Sequence, residues 1–232
     1  MQFNRSRLLL GESGQEKLKN SSVCIFGIGG VGSYTVEALA RSGVGTLTLI
    51  DSDKVDVTNI NRQIHALHST VGRYKTEVMR ERILDINPSA IVNIHNVFCH
   101  AQNTAALIPE NCDFVVDAVD NVTAKLAIIT AANERGIPVI SCMGAANKLD
   151  PSAFQVTDIY KTEVCPLCRV MRRELRRRDI KKLTVVYSKE EPVIPLCDKA
   201  DGVPLGSIAF VPSSAGLLAA SHVILFLTGQ HS

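Results

Sequence analysis

No charge of one sign dominates this sequence: 25 Lys and Arg stand against 23 Asp and Glu, a net +2. That excludes a global field able to gather nucleic acid or membrane, so any such affinity must come from a local patch. Internal repeats and low-complexity linkers are also missing. The opening residues, MQFNRSRLLLGES, contain no long apolar region and no cleavage site, so secretion is not expected. The cysteines number 7, an odd count, and several lie inside apolar runs. They read as reduced thiols of a cytosolic protein. Residues 202–232 lack Asp, Glu, Lys and Arg altogether. Within them, the apolar part of AGLLAASHVILFLTG spans only about 13 residues, against the ~20 that cross a bilayer. A buried helix is expected there, with peripheral membrane contact as the alternative.

What is present points to a packed globular chain, 46% apolar and 21% charged. Short apolar runs, SVCIFG, TLTLID, AIVNIH, CDFVVDAVD and IPVISCM, predict five strands. Between them GGVGSYTVEALARSG, KTEVMRERILDIN and VTAKLAIITAANERG have helical spacing. Gly43 is placed to end the first of these and Pro88 the second. Strands alternating with amphipathic helices imply an α/β, Rossmann-like fold, mainly parallel, with helices on both faces. Beyond residue 150 the pattern changes to AFQVTDIY and LTVVYS, two further strands flanking a basic helical stretch. We therefore expect a single domain over 1–232, with a core at 20–150 and a C-terminal antiparallel extension at 151–232. Ligands of such sheets lie beyond the carboxyl ends of the strands.

The motifs sit at those ends. GIGGVG follows a strand and opens a helix. Gly27, Gly29, Gly30 and Gly32 let the backbone turn sharply and approach a phosphate, which the helix N-terminus favours. Asp51, at the next strand tip, can accept from ribose hydroxyls. Taken alone, these residues fit a nicotinamide dinucleotide as well as ATP. LIDSDKVDVTNINRQ then adds Asp53, Thr58, Asn59, Asn61 and Arg62, and Lys75 follows. Two cations suit a triphosphate better than a pyrophosphate already satisfied by backbone N–H groups. Asp120 could hold Mg2+ through its carboxylate, or cap the helix that begins near Asn121.

In order and spacing, GIGGVG, LIDSDKVDVTNINRQ, VGRYK and VVDAVDN resemble the adenylating domain of the ubiquitin-activating-enzyme-like superfamily, which includes the sulfur-carrier adenylyltransferases. GIGGVGSYTVEALARSGVGTLTLID, TNINRQIHAL, EVMRERILDINP and DPSAFQVTDIYKT are most similar to its tRNA threonylcarbamoyladenosine dehydratase branch. The resemblance implies an enzyme that uses ATP and Mg2+ to adenylate a carboxylate. In the dehydratase branch that carboxylate is the threonyl group of threonylcarbamoyladenosine in tRNA; the acyl adenylate then cyclises, with loss of AMP and pyrophosphate. The alternative is activation of the C-terminus of a ubiquitin-like sulfur carrier. Carried over by position, Arg62, Asp120 and Arg7 are catalytic, Arg7 reaching a neighbouring subunit of a homodimer. Gly30, Asp51, Thr58 to Arg62, Lys75, Asp120 and Asn121 contact ATP or its metal.

Two features bear on the acceptor. Cys165 and Cys168 form a CxxC with no second pair, so zinc is not expected, although Cys197 could contribute to a partial site. The stretch RVMRRELRRRDIKKL concentrates Arg169, Arg172, Arg173, Arg176, Arg177, Arg178, Lys181 and Lys182 against Glu174 and Asp179. Such a patch suits a tRNA anticodon stem-loop, though an acidic carrier protein would also fit it. A sulfur-transfer partner remains an alternative; a cytoplasmic location is expected.

Overall fold

The computed structural model describes residues 2–194, 196 and 205–230. Cys197, the suggested additional thiol ligand, lies outside the described residues. Seven strands form one sheet: β1 (Ser22–Phe26), β2 (Thr46–Ile50), β3 (Ile91–His95), β4 (Phe114–Asp117), β5 (Val139–Cys142), β6 (Phe154–Asp158) and β7 (Thr184–Ser188). Their order is β3-β2-β1-β4-β5-β7-β6. All pairings are parallel except β6 with β7. The expected fold class therefore holds, and the later strands continue the same sheet. β1 is buried throughout because both its neighbours and the helical layers cover it. Its run of Val, Cys, Ile and Phe lacks any polar alternation, as a doubly covered strand requires. Register aligns Phe26 with Ile50 on one side and with Asp117 on the other. The carboxyl ends of β1, β2 and β4 are thus level, at the point where strand order reverses.

The helices are α1 (Asn4–Asn20), α2 (Gly32–Ser42), α3 (Lys75–Ile86), α4 (Thr104–Leu107), α5 (Val122–Glu134), α6 (Pro166–Arg176) and α7 (Phe210–Thr228). Gly43 ends α2 as expected, in the left-handed conformation with φ 87°. α1, of which only a helix start at Arg7 was considered, is mostly exposed and broken at Gly11, where φ is 74° and ψ 170°. The basic helix is shorter than expected. It stops at Arg176, and Asp179 has a left-handed φ of 54°. Propensity alone favours continuing through the arginines; burial of Ile180 and Leu183 turns the chain back to begin β7.

α7 is longer than its apolar core suggests, because Pro212 sits within its first turn, where no N–H partner is lost. By length and composition it could cross a membrane. Here Val211, Ala215, Gly216, Ala219, Ala220 and Val223 instead face the protein interior. Small residues allow close contact with α2: the Thr35 hydroxyl donates to the Gly216 carbonyl at 3.0 Å. A Cβ on Gly216 would meet the Val31 carbonyl oxygen at 2.3 Å. Replacing Gly216 with Ala should therefore force the helices apart and cost about 1–3 kcal/mol. Urea denaturation of the variant tests this; an unchanged midpoint would show that the α2–α7 contact yields freely.

Candidate active site

A cleft of about 800 Å3 opens over the carboxyl ends of β1, β2 and β4. It is lined by Gly27, Gly29, Gly30, Asp51, Asp53, Thr58, Asn59, Asn61, Arg62, Lys75, Asp120 and Asn121. The structure thus gathers nearly every residue singled out for nucleotide binding. Two lie elsewhere. Gly32 is buried beneath the cleft. Arg7, on α1, pairs with Glu12 at 3.2 Å and does not line the cleft of its own chain.

The glycines divide by role. Gly27 has φ +86°, and a Cβ there would lie 2.8 Å from the Ala118 backbone. Gly29 faces open space, so its backbone is the part a phosphate can approach. α2 begins just beyond with no side-chain cap; Ser33 N–H donates to the Gly29 carbonyl at 3.0 Å, and the other first-turn N–H groups are left for a ligand.

Asp51 is fixed by two backbone donors. Its Oδ2 accepts from Ile28 N–H at 2.6 Å and its Oδ1 from Asp53 N–H at 2.8 Å. Burial pushes its carboxyl above the usual range, against the opposing pull of Lys75 and these two N–H donors. The acid therefore ties the glycine turn to the tip of β2. Lys75, itself buried, lies 2.7 Å from Asp53 and 4.0 Å from Asp51.

The Asn59 to Arg62 segment is held by local bonds. Asp56 and Asn59 form a reciprocal cap, so Asn59 uses its carbonyl oxygen locally and keeps its NH2 group for a ligand. The Thr58 hydroxyl donates to Asp56 at 2.6 Å. Arg62 donates to the Thr58 carbonyl at 2.8 Å and to the Asn61 carboxamide at 2.9 Å, both neutral. Its charge is thus available to an anion, whereas that of Lys75 is already met by carboxylates.

Past β4, Asn121 caps α5 by accepting from Ala124 N–H at 3.0 Å. The capping alternative considered for Asp120 thus falls to its neighbour, and Asp120 stands exposed in the cleft. Beneath them is a pair that sequence reasoning missed. Lys125 and Asp117 are buried 3.1 Å apart, and Lys125 also donates to the Cys142 carbonyl at 2.6 Å. A lysine in an apolar helix repeat, following an acid in an apolar strand, was the available signal.

On α6 the cations are unequal. Arg172 turns inward to donate to the Thr162 carbonyl at 2.9 Å, which removes it from the expected polyanion-binding set. Arg173, Arg177 and Arg178 share Glu174. Arg176 lies over the Tyr160 ring at 5.4 Å. Arg169 and Lys181 are exposed. The patch remains strongly basic.

Cys165 and Cys168 are both buried, and no group of three or more metal-binding side chains occurs among the described residues.

His65, within NRQIHAL, is 2% exposed, with neither ring nitrogen hydrogen-bonded. Burial, reinforced by Lys75 and Arg82, lowers its pKa to about 4. Its folded value lies below the unfolded value of 6.5, so the unfolded chain binds the extra proton. Stability is therefore fully present above pH 6.5 and lost as pH falls towards 4, by up to roughly 3 kcal/mol from this group. A His65→Gln variant should flatten that part of a stability–pH curve; an equally steep curve would assign the loss to other groups.

Comparison with known proteins agrees with this geometry. The family model described as "ThiF family" matches residues 3–232. The chain is 44% identical to the tRNA threonylcarbamoyladenosine dehydratase of Bacillus subtilis, covering 97% of this chain and 94% of that one. It is similar to the crystal structure of the Escherichia coli tRNA N6-threonylcarbamoyladenosine dehydratase in complex with ATP. That match has a TM-score of 0.91 at 37% identity, over 99% of this chain and 94% of the other. The E. coli molybdopterin-synthase adenylyltransferase is 37% identical over a shorter span, 65% of this chain and 60% of the relative. With a matching family model along almost its whole length, the chain belongs to the ThiF family.

Proposed function

We propose that this chain is an ATP-dependent tRNA threonylcarbamoyladenosine dehydratase. The observation that carries the reading is the reach of its likeness. Similarity to the dehydratase spans 97% of the chain, including the basic region, whereas that to the sulfur-carrier-type adenylyltransferase spans 65%. ATP converts the threonyl carboxylate of the modified adenosine to an acyl adenylate, releasing pyrophosphate. The activated carbonyl then closes onto the carbamoyl part and AMP leaves, so the net change is loss of one water. Ring closure is intramolecular, which gives it a high effective molarity without a catalytic cysteine.

The residues divide the work. Backbone at Gly29 and Gly30 meets phosphate, and Asp51 offers its remaining lone pairs to the ribose. Asn59, Asn61 and Thr58 orient the phosphates, while Lys75, steered by Asp53, and Arg62 oppose their charge. Arg62 acts most on charge that develops during displacement, because no carboxylate offsets it. An exposed carboxylate facing the space for phosphates matches the habit of Mg2+, which shares one or two acids with substrate oxygens. Asp120 would hold it, with Asn121 beside it, and the ion would supply charge neutralisation. We further propose a cytoplasmic homodimer, in which Leu8 and Leu9, 85% and 83% exposed, are covered and Arg7 approaches the partner's phosphates.

Asp120→Ala and Arg62→Ala should leave melting unchanged. Each should lower AMP formation at least ~100-fold, about 2.7 kcal/mol, with Arg62→Ala affecting turnover more than ATP affinity. ATP–pyrophosphate exchange beside thermal melting checks both, and near-normal turnover in Asp120→Ala would overturn its role.

Reversing Arg169, Arg173, Arg176 and Arg177 to Glu should weaken tRNA binding and flatten its dependence on salt, while ATP binding is retained. Nucleoside digestion of treated tRNA reads the reaction itself, as loss of one water from threonylcarbamoyladenosine. AMP formation with a sulfur-carrier protein, and an unchanged nucleoside, would transfer the chain to carrier activation.

A further inference from the structure

The proposed chemistry has no use for the CPLC segment, yet its local geometry is unusual. Cys165 is the N-cap of α6, Pro166 opens the helix and Cys168 occupies its third position. The segment is presented by a tight turn. Cys165 N–H donates to the Glu163 carbonyl at 2.5 Å, and Val164 between them has a left-handed φ of 60°. A β-branched residue adopts that conformation only when its surroundings enforce it, and such strain gathers at functional positions.

The two sulfurs differ in surroundings. The Cys165 sulfur lies beside the Cys168 thiol and near the backbone N–H groups of Cys168, Leu167 and Gly144, although as N-cap it makes no side-chain capping hydrogen bond. Cys168, fully buried, faces Cys165, Thr162 and Arg172. Cys165 retains 6% exposure. In this helical CxxC, Cys165 keeps slight exposure at the helix start while Cys168 lies three residues on and is fully enclosed, the sequence spacing of thiol–disulfide exchange motifs.

We propose that Cys165 and Cys168 form a thiol–disulfide exchange site, with Cys165 the attacking sulfur, Cys168 the resolving sulfur, and a low-molecular-weight disulfide as the co-reactant. The Cys165 thiolate attacks one sulfur of the disulfide RSSR, forming Cys165–S–S–R and releasing RS−, which takes up a proton. The Cys168 thiol, enclosed by the protein, passes its proton to the RS group that leaves in the next step. Its sulfur then attacks that of Cys165, closing the protein disulfide and expelling that group as RSH. Two electrons pass from the protein pair to RSSR, and two RSH result. The electrostatics agree in direction. The Cys168 hydrogen bond and the N–H donors, against the opposing effect of burial, draw the Cys165 thiol down to about 6. The pairing itself, and then burial, push Cys168 up. Low thiolate pKa at a helix N-terminus and a resolving partner one turn on are what exchange requires. Gly144 and Leu167 also line the ATP cleft, so the exchange site adjoins its wall.

The test uses the full reduced chain and glutathione disulfide as the probe. Trypsin cuts after Lys161 and Arg169, leaving both sulfurs in one peptide, TEVCPLCR. The expected product is that peptide two hydrogens lighter. With Cys168→Ser the peptide should keep a glutathione adduct on Cys165, and with Cys165→Ser it should carry no adduct. Iodoacetamide labelling of Cys165 should follow a pH profile with an inflection near 6. Four outcomes would overturn the proposal: two unmodified thiols in the wild-type peptide, a labelling inflection near the ordinary ~8.5, a cross-link from this peptide to Cys197 in place of Cys168, or stoichiometric zinc released when the thiols are blocked. Should either variant fail to melt cooperatively, the wild-type peptide and pH profile decide alone.

Discussion

A Cβ on Gly32 would lie 1.8 Å from the Gly27 carbonyl oxygen, and one on Gly27 would lie 2.8 Å from the Ala118 backbone. No side chain fits in either contact, so the turn leaving β1 is pressed against both the start of α2 and the segment following β4. This steric constraint sets the site. It fixes where the uncapped N–H groups of α2 point and keeps the chain beyond β4 close enough for Asp120 to share the cleft with Gly29. Asp51 then secures the turn laterally through Ile28 N–H. The nucleotide-facing backbone is held by three strands at once.

Charge is arranged in two tiers around this turn. The lower tier, Asp117 with Lys125, is closed to water and bridges β4, α5 and β5. Such a pair adds little net stability over an apolar substitute, but losing one partner costs about 3–5 kcal/mol. Its consequence here is positional: it locks the start of α5, and hence Asp120 and Asn121, to the sheet. The upper tier is incomplete without an anion. Lys75 is divided between Asp53 and Asp51, while Arg62 rests on neutral oxygens. A polyphosphate would draw Lys75 partly from its acids but would meet Arg62 at full charge.

All seven strands were legible, but from different signals: β1, β4 and β5 are short apolar runs, as doubly covered parallel strands should be, whereas the antiparallel β6 shows through alternation of apolar and polar residues. The cleft residues at the strand tips, Gly27, Asp51 and Asp120, were legible because they follow those strands closely, and Asn59 to Arg62 and Lys75 because the polar run after β2 has little to bury. What escaped reading depended on distant contacts. Nothing local told that α6 would stop at Arg176, since the stop comes from burying Ile180 and Leu183 against another part of the chain. Arg172 looked like its neighbours until Thr162 was placed beside it. Gly32 was grouped with the phosphate-facing glycines, though it serves packing below them. The extent of α1 escaped because an exposed, kinked helix carries no clear apolar period.

The charge-free stretch near the C-terminus reaches the cleft. Leu205, Ser207 and Pro212 form part of the cleft wall. Asn61 donates to the Ser207 carbonyl at 2.9 Å, and Asn147 accepts from Gly206 N–H at 2.6 Å. Pro212, at the start of α7, stands 3.2 Å from where a Cβ of Gly30 would be. The nucleotide space is therefore bounded by cations and N–H groups on one side and by neutral chain on the other. A carboxylate on the neutral wall would repel a triphosphate, and a lysine there would compete with Arg62 for it. An uncharged wall avoids both and displaces water, which strengthens the attraction between phosphate and Arg62 across the cleft. The same small, apolar residues that let α7 pack against α2 thus leave the charge balance of the site to the loop after β2 and to the end of β4.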